Sequence, residues 1–347
     1  METRRKSAKV VASVLALAGL VAFSVMGYAG SLAPSAPPAP TMKTLDEVEP
    51  RVPIHASDLP LTITESNSYY LVEDINFTST ANHGITIECN DVTIDLMGYT
   101  LKGPDSGIQS GIYMYGRTNV EIRNGTVRDF YRGVYESSSL GRQHRLINVR
   151  LMSNEYYGVC LTGYGNLVKD CTAADNSTYG IYVNYGSTVT GNTAYNNVSI
   201  GIVIGAGSTV TGNTAYNNVP SGISTGPGCT VTGNTAYDNG TDGIYANPGC
   251  RVTGNTCYDN GYDGIFAGAG STVTGNTAYN NGYSDSGTAF GIWADSGSTV
   301  TGNTAYNNAE YGIYAVSYCL VDQNTAHGNG TNMVTGTECQ VGLNVAP

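Results

Sequence analysis

The chain has 347 residues, of which only 12% are charged, and it contains 45 Gly and 26 Tyr. This composition excludes an ordinary helix-rich enzyme, because Gly, Asn, Thr and Ser favour turns and short strands. The net charge of −11, with Arg251 as the only Lys or Arg beyond Gly180, argues against nucleic acid as a partner, since phosphate binding needs clustered cations.

The N-terminal segment has the pattern of a secretory signal. Basic residues between positions 4 and 9 precede an uncharged apolar run over residues 10–29, which ends in small residues. This pattern predicts a signal peptide over residues 1–29 and an exported protein, either secreted, periplasmic or at the cell surface. Because the run is nearly long enough to span a bilayer, an uncleaved anchor stays open. The stretch SLAPSAPPAP predicts a Pro-rich linker over residues 30–50.

A short repeat fills the rest of the chain. From Gly180 onward, Gly followed by a branched residue recurs every 21 residues, except for a 27-residue unit that begins at Gly264. A fixed short period predicts a solenoid, because one unit cannot bury its apolar face without stacking on its neighbours. Each unit has three bursts of alternation, Gly-Ile-x-Ala, Thr-Val-Thr and Thr-Ala-Tyr, which predict three short strands and no helix.

Columns of identical residues show which way the strands face. Ile, Val and Ala recur once per unit on the three strands and therefore face a common axis. The predicted fold class is all-β, a single parallel β-helix over residues 84–347 with three strands per turn and about 12 turns, preceded by an N-terminal cap over residues 51–83. Two Asn columns mark the bends, where stacked amides can hydrogen-bond along the axis. They are Asn192, Asn213, Asn234, Asn255, Asn276, Asn303 and Asn324, and Asn197, Asn218, Asn239, Asn260, Asn281, Asn308 and Asn329.

The stretches GIYVNYGSTVTGNTAYNN, ITIECNDVTIDLMGYTLKG and NVEIRNGTVRDF resemble the repeats of right-handed parallel β-helix proteins of the PbH1 type. This group includes the NosD-like periplasmic proteins and the pectate-lyase-like superfamily. The resemblance runs from about Tyr69 to the C-terminus and implies a right-handed coil, but it says little about activity. The copper association of the NosD-like group does not transfer, because the four His residues share no ligand spacing, so we predict no metal and no cofactor.

Eight Cys in an exported protein suggest disulfides. Cys229 and Cys250 occupy the same column one turn apart, and Cys319 and Cys339 nearly do so. Neighbouring turns bring the α-carbons within disulfide range, although in-register parallel strands make the required torsion difficult. Both bridges are therefore candidates that the sequence leaves open.

Chemistry, if there is any, is expected in the charged early turns. For an enzyme that cleaves polysaccharide, a lyase or a hydrolase, the candidate catalytic residues are Arg128, Arg132, His144 and Arg145, since uronate elimination needs a cation near the carboxylate and a base. The alternative, which the sequence favours, is that these charges form a salt-bridged flank of the early turns. The carboxylates of later units sit in Asp-Gly and Asp-Asn-Gly turns, where Asp is expected for backbone reasons. Both points favour a non-catalytic protein.

Outward aromatic residues are the candidate binding surface, because exposed rings pack on sugar rings. Stacked Tyr can also stabilise a ladder without further function. An insertion before Trp293 favours binding there, since insertions in solenoids often lie on the binding face. The candidate binding residues are Tyr195, Tyr216, Tyr237, Tyr245, Tyr258, Phe266, Tyr279, Tyr283, Phe290, Trp293 and Tyr306.

The function that the sequence favours is an exported, non-catalytic β-helix that binds a polysaccharide or cell-surface glycan, or that forms part of a cell-surface layer. End-to-end or lateral self-association stays open. The polysaccharide-cleaving enzyme is the second alternative. Ice binding through the paired Thr columns, such as Thr188 with Thr190, is a remote third, and Arg251 interrupts those columns.

Overall fold

Short parallel strands form wherever the repeat alternates apolar and polar residues, and the strands of successive units pair in register. The computed structural model describes residues 50–283 and 288–347, and the described residues from Arg51 to Pro347 belong to one compact unit. The predicted signal peptide and all but the last residue of the predicted linker lie outside the described residues. The described part holds one short 3-10 helix, Ala56–Asp58, and is otherwise made of strands and turns.

The Gly-Ile-x-Ala segments form a parallel sheet of 13 strands, called the Ile face. Its core residues pair with their equivalents one turn away, as Ile181 does with Ile202. The strands are Leu61–Ile63, Ile85–Ile87, Ser110–Met114, Arg132–Glu136, Tyr157–Leu161, Ile181–Val183, Ile202–Ile204, Ile223–Thr225, Ile244–Ala246, Ile265–Ala267, Phe290–Ala294, Tyr311–Ala315 and Thr331–Thr335.

The Thr-Val-Thr segments form the Val face, which is part of a second, 24-stranded parallel sheet. Two long strands, Glu121–Arg128 and Arg145–Met152, run from this face round the next bend. The other strands of the Val face are Val52–Ile54, Ser68–Leu71, Thr93–Asp95, Leu167–Lys169, Thr188–Thr190, Thr209–Thr211, Thr230–Thr232, Arg251–Thr253, Thr272–Thr274, Thr299–Thr301, Leu320–Asp322 and Gln340–Val341.

The Thr-Ala-Tyr segments complete the second sheet as the Ala face. Besides the ends of the two long strands, it contains Ile75–Asn76, Thr100–Lys102, Thr172–Ala174, Thr193–Tyr195, Thr214–Tyr216, Thr235–Tyr237, Thr256–Tyr258, Thr277–Tyr279, Thr304–Tyr306 and Thr325–His327. The three faces enclose one continuous core of Ile, Val, Leu and Ala side chains. The predicted all-β, three-stranded parallel coil is thus confirmed.

The coil has about 14 turns, slightly more than the predicted 12. The extra turns come from the segment that was expected to form the cap, residues 51–83, which lacks the Gly-Ile signature. There, Val52–Ile54 pairs in parallel with Ser68–Leu71, and Leu61–Ile63 pairs with Ile85–Ile87. These strands therefore already belong to the ladders of the coil.

The Gly that opens each unit is required by close packing at the bend between the Ala face and the Ile face. A Cβ on Gly222 would lie 2.8 Å from both the side-chain nitrogen of Asn239 and the carbonyl oxygen of Gly243. The Asn columns form the predicted ladders: Asn197 Nδ2 donates to Asn218 Oδ1 at 2.9 Å and to the carbonyl oxygen of Ala173 at 3.1 Å. The ladders satisfy the backbone of both bends inside the core.

Candidate functional site

The four candidate residues of the enzyme alternative lie on different parts of the coil. Arg128 lies on the Ala face, Arg132 on the Ile face and Arg145 on the Val face. His144 is 2% exposed and lies inside the coil. The fold therefore does not gather these candidates on one face, because each bend sends charges that are close in sequence to a different face.

The charges on the Val face neutralise one another. Glu121 accepts from Arg123 at 2.9 Å and from Arg145 at 2.7 Å, and Arg123 also donates to Asp95 at 2.9 Å. Met97 N–H donates a further hydrogen bond to Asp95 at 2.9 Å. This part of the charged stretch is the salt-bridged flank that the sequence favoured.

His144 faces a carboxylate that is completely buried. Its Nε2 lies 3.4 Å from Glu136 Oε2, and its Nδ1 accepts the N–H of Val120 at 3.3 Å. Burial by itself raises the pKa of Glu136, but His144 and three backbone N–H groups outweigh it, so that the pKa lies below its ordinary value. The pair closes a bend and cannot touch a ligand from this position.

The Tyr column of the Ala face is a continuous stack. From Tyr195 to Tyr306, neighbouring rings are 4.9 to 5.0 Å apart and nearly parallel. His327 extends the stack beyond Tyr306 at 5.4 Å. Because each inner ring is covered on both faces by its neighbours, it offers solvent an edge and a hydroxyl, not a face on which a sugar can stack.

The Ile face carries a second aromatic surface, arranged in two clusters. Its outward column runs Tyr113, Tyr135, Cys160, Tyr182, Val203, Ser224, Tyr245, Phe266, Trp293 and Tyr314. Aromatic side chains at and near the adjacent bend pack against the rings of this column. Val203 and Ser224 separate an N-terminal cluster from a C-terminal one.

The C-terminal cluster surrounds Trp293. Phe290 meets the indole edge-on at 4.6 Å, and Phe266 and Tyr314 flank it at 5.9 and 5.2 Å. Tyr283, 61% exposed, donates its hydroxyl to the carbonyl oxygen of Asn239 at 3.1 Å. Phe266, Phe290 and Trp293 therefore do lie together, whereas Tyr283 reaches back to Asn239, two turns earlier; residues 284–287 fall outside the described part.

The N-terminal cluster is built around Arg132. The guanidinium carbon lies 4.4 Å from the ring centre of Tyr135, 4.6 Å from that of Tyr131 and 5.5 Å from that of Tyr156. Arg132 Nε is buried and has no hydrogen-bond partner, and no described carboxylate lies within ion-pair distance of this side chain. The rings therefore hold a cation that has no carboxylate partner among the described residues.

Two further polar side chains lie beside Arg132. Ser110 pairs with it in register one turn earlier, and the Ser110 hydroxyl is fully buried without a partner. The N–H of Ser110 donates to His83 Nδ1 at 2.9 Å, and the His83 ring stacks on Tyr113 at 4.2 Å. Burial and then the charge of Arg132 lower the pKa of His83, so at neutral pH the ring is uncharged and carries its proton on Nε2.

The cluster thus presents three hydrogen-bond donors within a wall of Tyr rings. Burial raises the pKa of Tyr135 although Arg132 opposes it, so this phenol stays protonated. The sequence singled out Arg132 but not Ser110 or His83, because both lie before Gly111, far ahead of the regular 21-residue spacing that begins at Gly180. We call Ser110, Arg132, His83 and their Tyr neighbours the Arg132 cluster.

The two Cys residues of each predicted pair lie next to each other on neighbouring turns. Cys229 N–H donates to Cys250 Sγ at 3.3 Å, and Cys319 N–H donates to Cys339 Sγ at 3.4 Å. The two disulfides stay predictions. Over residues 50–283 and 288–347, no group of three or more His, Cys, Asp or Glu side chains is placed to hold a metal ion. No helix in the same range is long and apolar enough to cross a membrane.

Comparison with known proteins agrees with this geometry. Residues 63–236 and 221–345 match the family described as the right-handed β-helix region. The chain belongs to the right-handed β-helix family. This membership confirms the hand of the coil that the repeat resemblance implied. Among curated proteins, none matches the sequence.

Several solved structures share the right-handed β-helix fold. The A-module of mannuronan C-5 epimerase AlgE6 from Azotobacter vinelandii is 17% identical, with a TM-score of 0.55, over 81% of this chain and 91% of that one. The periplasmic alginate epimerase AlgG is 14% identical, with a TM-score of 0.53, over 81% and 77%. At this level of identity, the likeness shows the fold.

Proposed function

We propose that this protein is exported and binds an acidic carbohydrate on its Ile face, with the Arg132 cluster as the centre of recognition. The observation that carries the proposal is a half-buried guanidinium that three Tyr rings hold and whose Nε has no partner, next to the buried Ser110 hydroxyl, which also lacks one. The outer nitrogens of a half-buried guanidinium without an ion-pair partner favour an oxyanion, which can accept two parallel hydrogen bonds.

The surroundings of Arg132 suit a sugar better than a small inorganic ion. Tyr131, Tyr135 and Tyr156 supply apolar ring surface for the carbon face of a pyranose. The phenol hydroxyl groups and the Nε2–H of His83 supply partners for the hydroxyl groups of the sugar. The guanidinium, which prefers bidentate contact with carboxylate, selects an acidic sugar over a neutral one.

The comparisons support an acidic glycan without naming one. Two of the similar structures are by their titles epimerases, one of mannuronan and one of alginate. The signal-peptide pattern at the N-terminus supports export, and cleavage at residue 29 would release a secreted or periplasmic protein. The C-terminal cluster around Trp293 would be a further contact for a long chain that runs along the Ile face.

We propose binding without cleavage, with a lyase or hydrolase as the alternative. The Arg132 cluster supplies a cation for a carboxylate. In the His83 imidazole, however, Nδ1 already accepts the N–H of Ser110 and Nε2 carries the proton, so neither nitrogen is free to accept a proton. A base for proton abstraction is therefore not in place. Release of unsaturated or reducing sugars from a polyuronate, abolished in an Arg132→Met variant, would establish the enzyme instead.

The Arg132→Met variant tests the binding proposal. Met keeps much of the length and apolar surface but removes the charge, and a hydrogen-bonded charge contributes about 1.5–3 kcal/mol. We expect affinity for oligogalacturonate to fall about 10- to 100-fold, measured by calorimetry, and affinity for neutral glucan to be unaffected. The matched control is Arg251→Met, which removes an exposed cation from the Val face.

Equal affinities of wild type and Arg132→Met for every acidic glycan on an array would remove the proposal. If Arg251→Met lost as much affinity as Arg132→Met, the loss would be explained by the change in net charge and not by the Arg132 cluster. Melting temperatures of both variants, measured in parallel, separate loss of binding from loss of fold.

A further inference from the structure

A second group of cations lies on the Ala face. Lys102 pairs in register with Arg128, and Arg150 pairs with Thr126 on the next turn. Together with Thr100, these side chains line an open groove of about 510 Å³. Among the described residues beyond Lys169 the only Lys or Arg is Arg251, so these early turns hold most of the cationic surface of an acidic protein.

All three of these cations contact neighbouring side chains. Arg128 donates from Nε and Nη2 to the buried carboxylate of Asp129, at 2.9 and 3.2 Å. Lys102 Nζ lies 4.0 Å from the same carboxylate. Arg150 Nε donates to Thr126 Oγ1 at 3.1 Å. One buried carboxylate thus positions two cations, and positive charge is left to face the groove.

The walls of the groove are suited to sugar hydroxyls. Asn76, Thr100 and Thr126 contribute amide and hydroxyl groups, and Met152 contributes apolar surface. Asp74 also lines it and accepts the N–H of Thr100 at 2.7 Å. Arg150 also borders a neighbouring groove of about 420 Å³ that includes Asn124 and Asn148. The surface therefore continues round the bend towards the Val face.

The two cationic sites lie on either side of one corner. Arg128 ends its strand on the Ala face, and Arg132 begins the next strand on the Ile face, so only Asp129, Phe130 and Tyr131 separate them. Three intervening residues span at most about 14 Å between the two α-carbons. This distance is within reach of a short oligosaccharide.

We infer that Lys102, Arg128 and Arg150 form a second site for an oxyanion-bearing sugar, and that one acidic chain crosses the corner to occupy this site and the Arg132 cluster together. The crossing rests on the proposed function of the Arg132 cluster, whereas the Ala-face site stands on its own geometry. Linking two sites through one ligand raises its affinity by effective concentration, without any new contact.

The experiment compares digalacturonate with octagalacturonate in calorimetric titrations. The variants are Lys102→Ala/Arg150→Ala, Arg132→Met and, as control, Arg251→Met. We expect two molecules of digalacturonate to bind each wild-type chain and one to bind each site variant. We expect octagalacturonate to bind once and about 100-fold more tightly than digalacturonate, and each site variant to lose this gain. Sulfated oligosaccharides of both lengths form a second arm, which distinguishes recognition of sulfate from recognition of carboxylate.

The possible failures can be told apart. If Lys102→Ala/Arg150→Ala changes neither stoichiometry nor affinity for carboxylated and sulfated probes, the Ala-face site does not exist. If only Arg132→Met is without effect, the proposed function fails while the Ala-face site stands. If both sites bind digalacturonate but octagalacturonate binds no more tightly, the inference that one chain crosses the corner is wrong.

Discussion

Replacing Asn234 by Ala is expected to lower the free energy of unfolding by about 4 kcal/mol. Asn234 Oδ1 accepts the backbone N–H and the Nδ2 of Asn213 at 2.9 and 3.0 Å. Its Nδ2 donates to the carbonyl oxygen of Val210 at 3.0 Å and to Asn255 Oδ1 at 2.9 Å. The residue is 1% exposed, so water cannot replace these bonds, and each buried group left without a partner costs about 1–3 kcal/mol.

Chemical denaturation checks this expectation, with Asn82→Ala as the control. Asn82 is exposed and makes one long hydrogen bond, to Ser79 Oγ at 3.4 Å. We expect the control to stay within about 0.5 kcal/mol of wild type. A loss below about 1 kcal/mol for Asn234→Ala would show that the ladder is not needed to hold the bends together.

Replacing Asp263 by Asn is expected to stabilise the protein at alkaline pH. Asp263 is 6% exposed and stacks one turn above Asp242, whose Oδ1 accepts the Asp263 N–H at 3.3 Å. Burial, followed by the negative charge of Asp242, raises the pKa of Asp263 to about 8. The folded state therefore keeps a proton that the unfolded chain loses near pH 4, and stability falls as pH rises from about 4 to about 8.

The Asn variant keeps the oxygen that accepts the N–H of Phe290 at 3.0 Å but cannot ionise. It should match wild type near pH 4 and exceed it at pH 8 and above, by up to about 5 kcal/mol. Melting temperatures between pH 4 and pH 9 measure the difference. Asp322→Asn, on the outward side of the Val face, is the control for net charge. Parallel pH profiles of wild type and Asp263→Asn would contradict the account.

The regular units were predictable because each column repeats one residue type. Ile, Val and Ala fix the inward side of three strands, and the two Asn columns fix the bends, so the fold followed from spacing. The count of turns fell short because Val52–Ile54 and Leu61–Ile63 pair in the same ladders without the Gly-Ile signature. These first strands form because they stack on the next turn, and no repeated residue in the sequence marks that contact.

The candidate site was harder to predict because it lies where the repeat is irregular. Arg128 and Arg132 are four residues apart but lie on different faces, since a bend separates them. No sequence pattern marks Ser110, and only the structure shows that its hydroxyl is buried without a hydrogen-bond partner. The Tyr stack of the Ala face was visible as a column in the sequence. In the structure, however, neighbouring rings cover the ring faces on which a sugar would have to pack.

The most direct test of the central claim is a crystal structure of the protein with a bound acidic oligosaccharide. We predict a carboxylate within hydrogen-bond distance of the Arg132 guanidinium, with a sugar ring against the Tyr side chains of the Arg132 cluster. An oligosaccharide bound along the Tyr195 to Tyr306 stack, without contact to Arg132, would contradict the account.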